Sequence, residues 1–175
     1  MSMYGRLGPI VLLLLWGTAI CAAAPGSSSC RSAAYRALNF TIGTWKVTDP
    51  DGRSRGVATI AYNLEGCEVV ESWSAPDGHN GTNVDAYSLD DKRWHRLFVD
   101  NKGHVHAFVG STAAMRISYE GSSKGSHGED VFNRLSITAR SPNEMVQVWQ
   151  QSHDRGRTWN GVFFDHYNRV LKRRG

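Results

Sequence analysis

The 175-residue chain lacks several features that would assign it a function quickly. It has no uninterrupted apolar run of about twenty residues, the length a membrane-spanning helix needs. The stretch from Leu7 to Ala24 comes nearest, and Gly8, Pro9, Gly17 and Thr18 break it. Lys plus Arg number 20 against 16 Asp plus Glu, yet no stripe of basic residues interleaved with aromatics appears. The excess gathers in Lys172, Arg173 and Arg174, a basic tail over 172–175 that reads as a solvated terminus, so a nucleic-acid partner is not expected. No Ser/His/Asp or Cys/His arrangement stands out, and no glycine-rich loop is built to cradle phosphate. With only three cysteines, the chain is no disulfide-dense scaffold either.

What is present begins with a leader. A single basic residue, Arg6, precedes the apolar stretch, which is densest from Ile10 to Trp16 and ends in Ala22, Ala23 and Ala24. This pattern predicts a signal peptide over residues 1–24, cut after Ala23 or Ala24, and a secreted or periplasmic product with no membrane attachment after cleavage. Ile20 before Cys21 argues against lipidation, which requires a small residue there. If Cys21 leaves with the leader, Cys30 and Cys67 remain, and an even pair in an exported chain predicts a disulfide. Closing that loop stabilises the fold by up to about 4 kcal/mol in the chain-entropy account. The mature chain, about 150 residues, is one domain's worth and is expected as a monomer or homodimer.

From Phe40 onward, turn signals recur about every ten residues, and the segments between them are rich in Val, Ile, Thr, Tyr, Phe and Trp. Strands are predicted over 39–48, 56–63, 67–74, 82–89, 93–100, 104–110, 114–120, 131–140, 144–152 and 158–170. Asp49-Pro50-Asp51-Gly52, Pro76-Asp77-Gly78 and Ser141-Pro142-Asn143 are among the turns that separate them. Ten short antiparallel strands leave unpaired edges unless the sheet closes, so the fold expected over 39–171 is all-β, an up-and-down antiparallel barrel. The preceding segment, 25–38, carries the one plausible short helix, Cys30 to Leu38, with Ser29 as its N-cap, covering one end of the barrel. The polar stretch Gly121 to Gly128 is expected to be a flexible loop.

Period-two alternation assigns faces to the strand residues. Glu71 and Trp73 share one face of the third strand, and Trp94, Arg96, Phe98 and Asp100 one face of the fifth. Gln147, Trp149 and Gln151 align in the ninth, and Phe163, Asp165, Tyr167 and Arg169 in the last. Large aromatics flanked by polar groups suit the lining of a partly polar cavity better than a packed core. Glu71, Trp73, Trp94, Arg96, Gln147, Trp149 and Tyr167 are therefore the expected ligand-binding residues.

The order of Phe40-Thr41-Ile42-Gly43-Thr44-Trp45, Gly66-Cys67 leading to Glu71-Ser72-Trp73, Trp94-His95 leading to Val99-Asp100-Asn101, and Gln147-Val148-Trp149 resembles a family of secreted bacterial calycin-like proteins of unknown function. The resemblance spans nearly all of the mature chain and implies an exported lipocalin-like barrel with an internal cavity. It implies no reaction. In such barrels the G-x-W tryptophan packs near the closed end beneath an arginine of the last strand, which gives Trp45 and Arg169 a structural role. Arg96, His104 and His106 depart from the family pattern, which has a neutral polar residue and aliphatic residues at these places.

Four further patterns bear on chemistry. Ser152-His153-Asp154-Arg155-Gly156-Arg157-Thr158-Trp159 fits the Asp-box of sialidase-type propellers, but one copy in a short chain reads as a hairpin turn. His104 and His106 lie two apart on one strand face, a metal-like spacing that needs a third ligand from His95 or Asp100; they read instead as exposed histidines beside a turn, with no metal expected. His166 to Leu171 loosely resembles the haem-binding end of the nitrobindins, although parity turns His166 away from the interior, so no cofactor is expected and haem stays an alternative. Glu71 and Asp165 could act as a carboxylate pair in a hydrolase or isomerase, with ion pairing to Arg96 or Arg169 as the plainer account. The reading that joins these observations is a non-catalytic barrel holding a small, largely apolar ligand.

Overall fold

The computed structural model describes residues 30–171. The predicted signal peptide, Cys21, the Ser29 cap and the 172–175 tail lie outside the described residues. A short helix α1 (Ala33–Arg36) and a single 3-10 turn (Asn39–Thr41) lead into ten strands: β1 (Gly43–Thr48), β2 (Ser54–Asn63), β3 (Glu68–Ser74), β4 (Asn80–Tyr87), β5 (Trp94–Asp100), β6 (Val105–Ala113), β7 (Arg116–Lys124), β8 (Asp130–Ser141), β9 (Glu144–Ser152) and β10 (Asn160–Arg169). Each strand pairs antiparallel with its sequence neighbours, and β1 pairs with β10, so the sheet is a closed up-and-down barrel. Closure leaves no row of unpaired backbone groups at a sheet edge.

Several boundaries shift by a few residues from those expected, and three of the differences have a clear physical reason. The first strand starts at Gly43 rather than residue 39, because the Asn39–Thr41 turn is held by Thr41 N–H on the Leu38 carbonyl at 2.9 Å. Helix α1 covers only four of the nine residues predicted, and its N-cap is Ser32, which makes no side-chain cap bond. The supposed loop 121–128 is strand as far as Lys124, in register with Asn133 to Asp130 of β8. Gly121 is there for proximity: a Cβ on it would collide with the Ala107 carbonyl of the adjacent β6. Small residues at that point reflect close backbone approach rather than flexibility.

α1 and the 3-10 turn sit at one end of the barrel. There Trp45 is buried, its indole N–H donating to the Thr41 carbonyl at 2.7 Å. Arg169, the register partner of Trp45 across the β1–β10 seam, places its guanidinium carbon 4.1 Å from the ring centroid. The same guanidinium donates to the carbonyls of Ile42 (2.5 Å), Phe40 (3.2 Å) and Pro142 (3.0 Å). Gly43 has φ +145°, and a side chain on it would strike the guanidinium nitrogen of Arg169. The glycine therefore meets two demands, an unusual backbone and a cation pressed against it. Cys30 and Cys67 form a disulfide, Cα atoms 4.8 Å apart, that ties the chain before α1 to the entry of β3.

The β9–β10 hairpin is the Asp-box segment, and it is a turn. Ser152 Oγ accepts the Gly156 N–H at 2.7 Å, Asp154 accepts the backbone and hydroxyl of Thr158 at 2.8 and 2.7 Å, and Trp159 folds back onto the Gly156 carbonyl at 3.1 Å. Arg134 of β8 covers the Trp159 ring at 4.2 Å.

Candidate functional site

A cavity of about 500 Å³ occupies the half of the barrel remote from α1. Six of the seven residues expected to line it do so: Glu71, Trp73, Arg96, Gln147, Trp149 and Tyr167. Trp94 does not. It points inward, but from the start of β5 at the covered end, where it is 2 % exposed and packs on Tyr87 (5.9 Å between centroids), which in turn meets Tyr35 of α1 at 5.3 Å. Alternation fixes the face of a strand residue and says nothing of its depth along the barrel.

The floor of the cavity is a charged cluster built on Arg96. Its Nη2 donates to Glu71 at 2.7 Å, its Nη1 to Asp85 at 2.9 Å and its Nε to the Asn83 side-chain oxygen at 3.0 Å. Asn83 donates to Glu71 at 3.0 Å, Tyr167 donates to the other Glu71 oxygen at 3.2 Å, and the Tyr119 hydroxyl makes a short hydrogen bond to Asp85. Every one of these side chains is buried. Burial pushes Asp85 above the ordinary carboxylate range, against the pull of Arg96. Burial also works against the Arg96 cation, but Asp85 and Glu71 outweigh it and hold the guanidinium more firmly charged than usual. Both tyrosines are pushed well up, first by burial and then by the adjoining carboxylates, so they remain donors. Glu71 is thus an ion-paired member of a buried network.

Above the floor stands an aromatic wall. Trp149 is its centre, with Phe98, Phe108 and Phe163 edge-to-face at 6.0, 5.6 and 5.8 Å and the His106 ring at 4.7 Å. The Trp149 N–H donates to Asn133 at 2.9 Å, fixing the ring so that its π surface is what remains. On the same inner face of β10, Asp165 lies within 3.6 Å of Arg55 from β2. Burial raises the Asp165 pKa to about 6, with Arg55 opposing the rise.

At the far rim Asp100 joins two histidines. Its Oδ2 meets His79 Nε2 at 2.9 Å and His104 Nδ1 at 2.8 Å, while Oδ1 accepts the backbone N–H groups of Lys102 and His104 at 3.0 and 2.9 Å. Burial opposes ionisation of Asp100, yet these hydrogen bonds prevail and hold it well below the usual carboxylate range. His104 is exposed beside the turn, as expected, and His106 is half-buried; both border the cavity. Desolvation, and then the neighbouring His104, lowers the His106 pKa from the ordinary histidine value. His95, on the opposite face of β5, is engaged with Asp91 at 2.8 Å. Among the described residues no group of three or more His, Cys, Asp or Glu is placed to hold a metal ion.

His166 faces the outside of the barrel, beside Phe164 at 5.3 Å in a shallow groove separate from the cavity. The register shift in β10 falls between Gly161 and Phe163, before His166, and does not turn its ring inward. Asn83, Asp85 and Tyr119 were not anticipated. Parity puts Asn83 and Asp85 on one face of β4, and their register partners Glu71 and Arg96 were signals available for the pairing. Tyr119 reaches Asp85 from β7, a contact no local pattern encodes.

The chain matches no model of a known protein family, and a comparison with curated proteins finds no match.

Proposed function

We propose that the chain is an exported, non-catalytic binding protein that takes a small, largely apolar molecule with a polar end into the barrel. One observation carries the reading: a cavity of about 500 Å³ with an aromatic wall and a polar floor, rather than a barrel filled by aliphatic side chains. That volume falls in the range of about 300–1,000 Å³ usual for small-molecule sites. The floor cluster satisfies its own charges, so the cavity admits an apolar body without leaving the carboxylates uncompensated. The disulfide supports an oxidising compartment, outside the cell or in a periplasm. The seating of Trp45 under Arg169 supports a kinship with calycin-like exported barrels.

Native mass spectrometry of the purified protein is expected to show a co-purified small molecule, or, for empty protein, aminoanthracene is expected to quench tryptophan fluorescence with one-to-one saturation. A linear, non-saturating response with no co-purified mass refutes the reading. A second reading, proton transfer to or from a bound molecule, is favoured by the pKa of about 6 at Asp165. A substrate screen in which turnover disappears in Asp165→Asn is its test.

A further inference from the structure

The inner faces of β9 and β10 form a ladder of opposed residues: Trp149 faces Phe163, Gln147 faces Asp165, and Met145 faces Tyr167. The middle rung is the one of these three that pairs two polar side chains. Gln147 and Asp165 are 5 % and 7 % exposed, both line the cavity, and among the described residues neither side chain makes a hydrogen bond. Most neighbouring polar groups are engaged elsewhere: Tyr167 donates to Glu71, Asn83 bridges Glu71 and Arg96, and the Trp149 N–H is given to Asn133, while His106 Nδ1, beside Trp149, also lacks a partner among the described residues. A carboxamide of a buried residue that opens on the cavity with no protein partner has its hydrogen-bonding capacity free for a bound group.

We infer that this rung is the polar anchor of the cavity, and that it recognises a flat ring system bearing a lactam-type edge, an N–H donor beside a carbonyl acceptor. The inference rests on the cavity-binding reading above and deepens it. Directly opposed residues of an antiparallel pair hold their Cβ atoms about 5 Å apart, so one planar edge spans both side chains. The ligand N–H donates to the Asp165 carboxylate, and its carbonyl accepts from the Gln147 amide. The ring behind that edge lies against the adjacent rung, where Trp149 and Phe163 present two perpendicular aromatic surfaces at 5.8 Å. A cationic ligand fits less well, because Arg55 already stands 3.6 Å from Asp165 and would share the carboxylate with it.

The experiment compares three probes of nearly equal size on the full mature chain by calorimetry or tryptophan quenching: carbostyril, which has the lactam edge; quinoline, which has the acceptor alone; and naphthalene, which has neither. Carbostyril is expected to bind about a hundredfold more tightly than naphthalene and quinoline about tenfold more tightly, since each net hydrogen bond contributes up to about a factor of ten. Gln147→Leu and Asp165→Leu should each reduce carbostyril binding by about tenfold and leave naphthalene unchanged, while Asp165→Asn, which keeps an acceptor, retains part of the preference. Equal binding of the three probes to the wild-type chain overturns the anchor and leaves the cavity reading standing. Binding of none overturns both. The wild-type comparison decides without any variant, so a substitution that impairs folding does not cloud the outcome.

Discussion

Replacing Arg96 by Met keeps most of the volume of the side chain and removes the charge on which the cavity floor is built. The guanidinium is buried and hydrogen-bonded to Glu71 (2.7 Å), Asp85 (2.9 Å) and Asn83 (3.0 Å). Without it, two carboxyl groups face each other in the interior with only Asn83 and two tyrosine hydroxyls as donors. Removing one partner of a buried ion pair costs about 3–5 kcal/mol. In a domain of this size each kcal/mol lowers the melting temperature by about 3–4 °C, so a drop of about 10–20 °C is expected by scanning calorimetry at pH 7.5. The deficit should also depend on pH, with a sign fixed by the chemistry. Asp85 is already raised in the folded protein, so its neutral form is favoured there; losing Arg96 raises it further. A carboxyl raised in the folded state supports stability below its unfolded value of about 4 and withdraws that support as pH climbs through the folded value. The gap between Arg96→Met and wild type is therefore smallest near pH 4 and widens toward pH 8. Adding Glu71→Gln to the variant should recover part of the loss at neutral pH, a coupling that a double-mutant cycle in urea would measure. A variant as stable as wild type at pH 7.5, or a deficit flat from pH 4 to 8, would refute the account of the floor as a charge-compensated cluster.

Three other outcomes follow from the same structure. Asp165, with a pKa of about 6, is faced by Arg55 from β2, Asp49, Glu71 from β3 and the neighbouring His166 and Tyr167; its charging on folding costs stability as pH rises through 6, so Asp165→Asn should gain on wild type by up to about 3 kcal/mol between pH 4 and 7.5 in urea titrations. Breaking the Cys30–Cys67 link, which spans 37 residues, should cost about 4 kcal/mol, read as matching losses in Cys30→Ser, Cys67→Ser and the reduced wild type; a loss confined to one of them would contradict a shared cause. Gly43→Ala should destabilise by about 1–3 kcal/mol because of φ +145° and the Arg169 guanidinium, and Arg169→Ala in the same chain should relieve the collision but not the backbone strain; additive losses would show that the two groups do not meet.

Much of the architecture was legible because each strand is a local statement. Turn residues at Asp49 to Gly52 and Ser141 to Asn143 delimit β1, β2, β8 and β9, and alternation told which residues face inward. Closure followed from counting strands against the problem of unpaired edges. Polarity alone misled at Gly121 to Lys124, where a small side chain answers to the backbone of the neighbouring β6 and not to flexibility. Trp94 shows the same limit from the inside: its face was legible, its depth was not.

The sequence by itself determined the ten strands and the inward faces of Glu71, Arg96, Gln147, Trp149 and Asp165, because these depend on spacing, and it pointed to the Cys30–Cys67 pair on the expectation that Cys21 leaves with a leader. Only the tertiary structure decided which of those residues share a space and which still have hydrogen-bonding capacity to offer. Arg96 is spent on the floor, His79 and His104 are gathered on Asp100, and Gln147 and Asp165 stand open to the cavity, since closing the barrel brings β3, β4, β5, β7 and Tyr167 of β10 onto one charge cluster and leaves Gln147 and Asp165 outside it. Such contacts join residues far apart in the chain, and no local period records them.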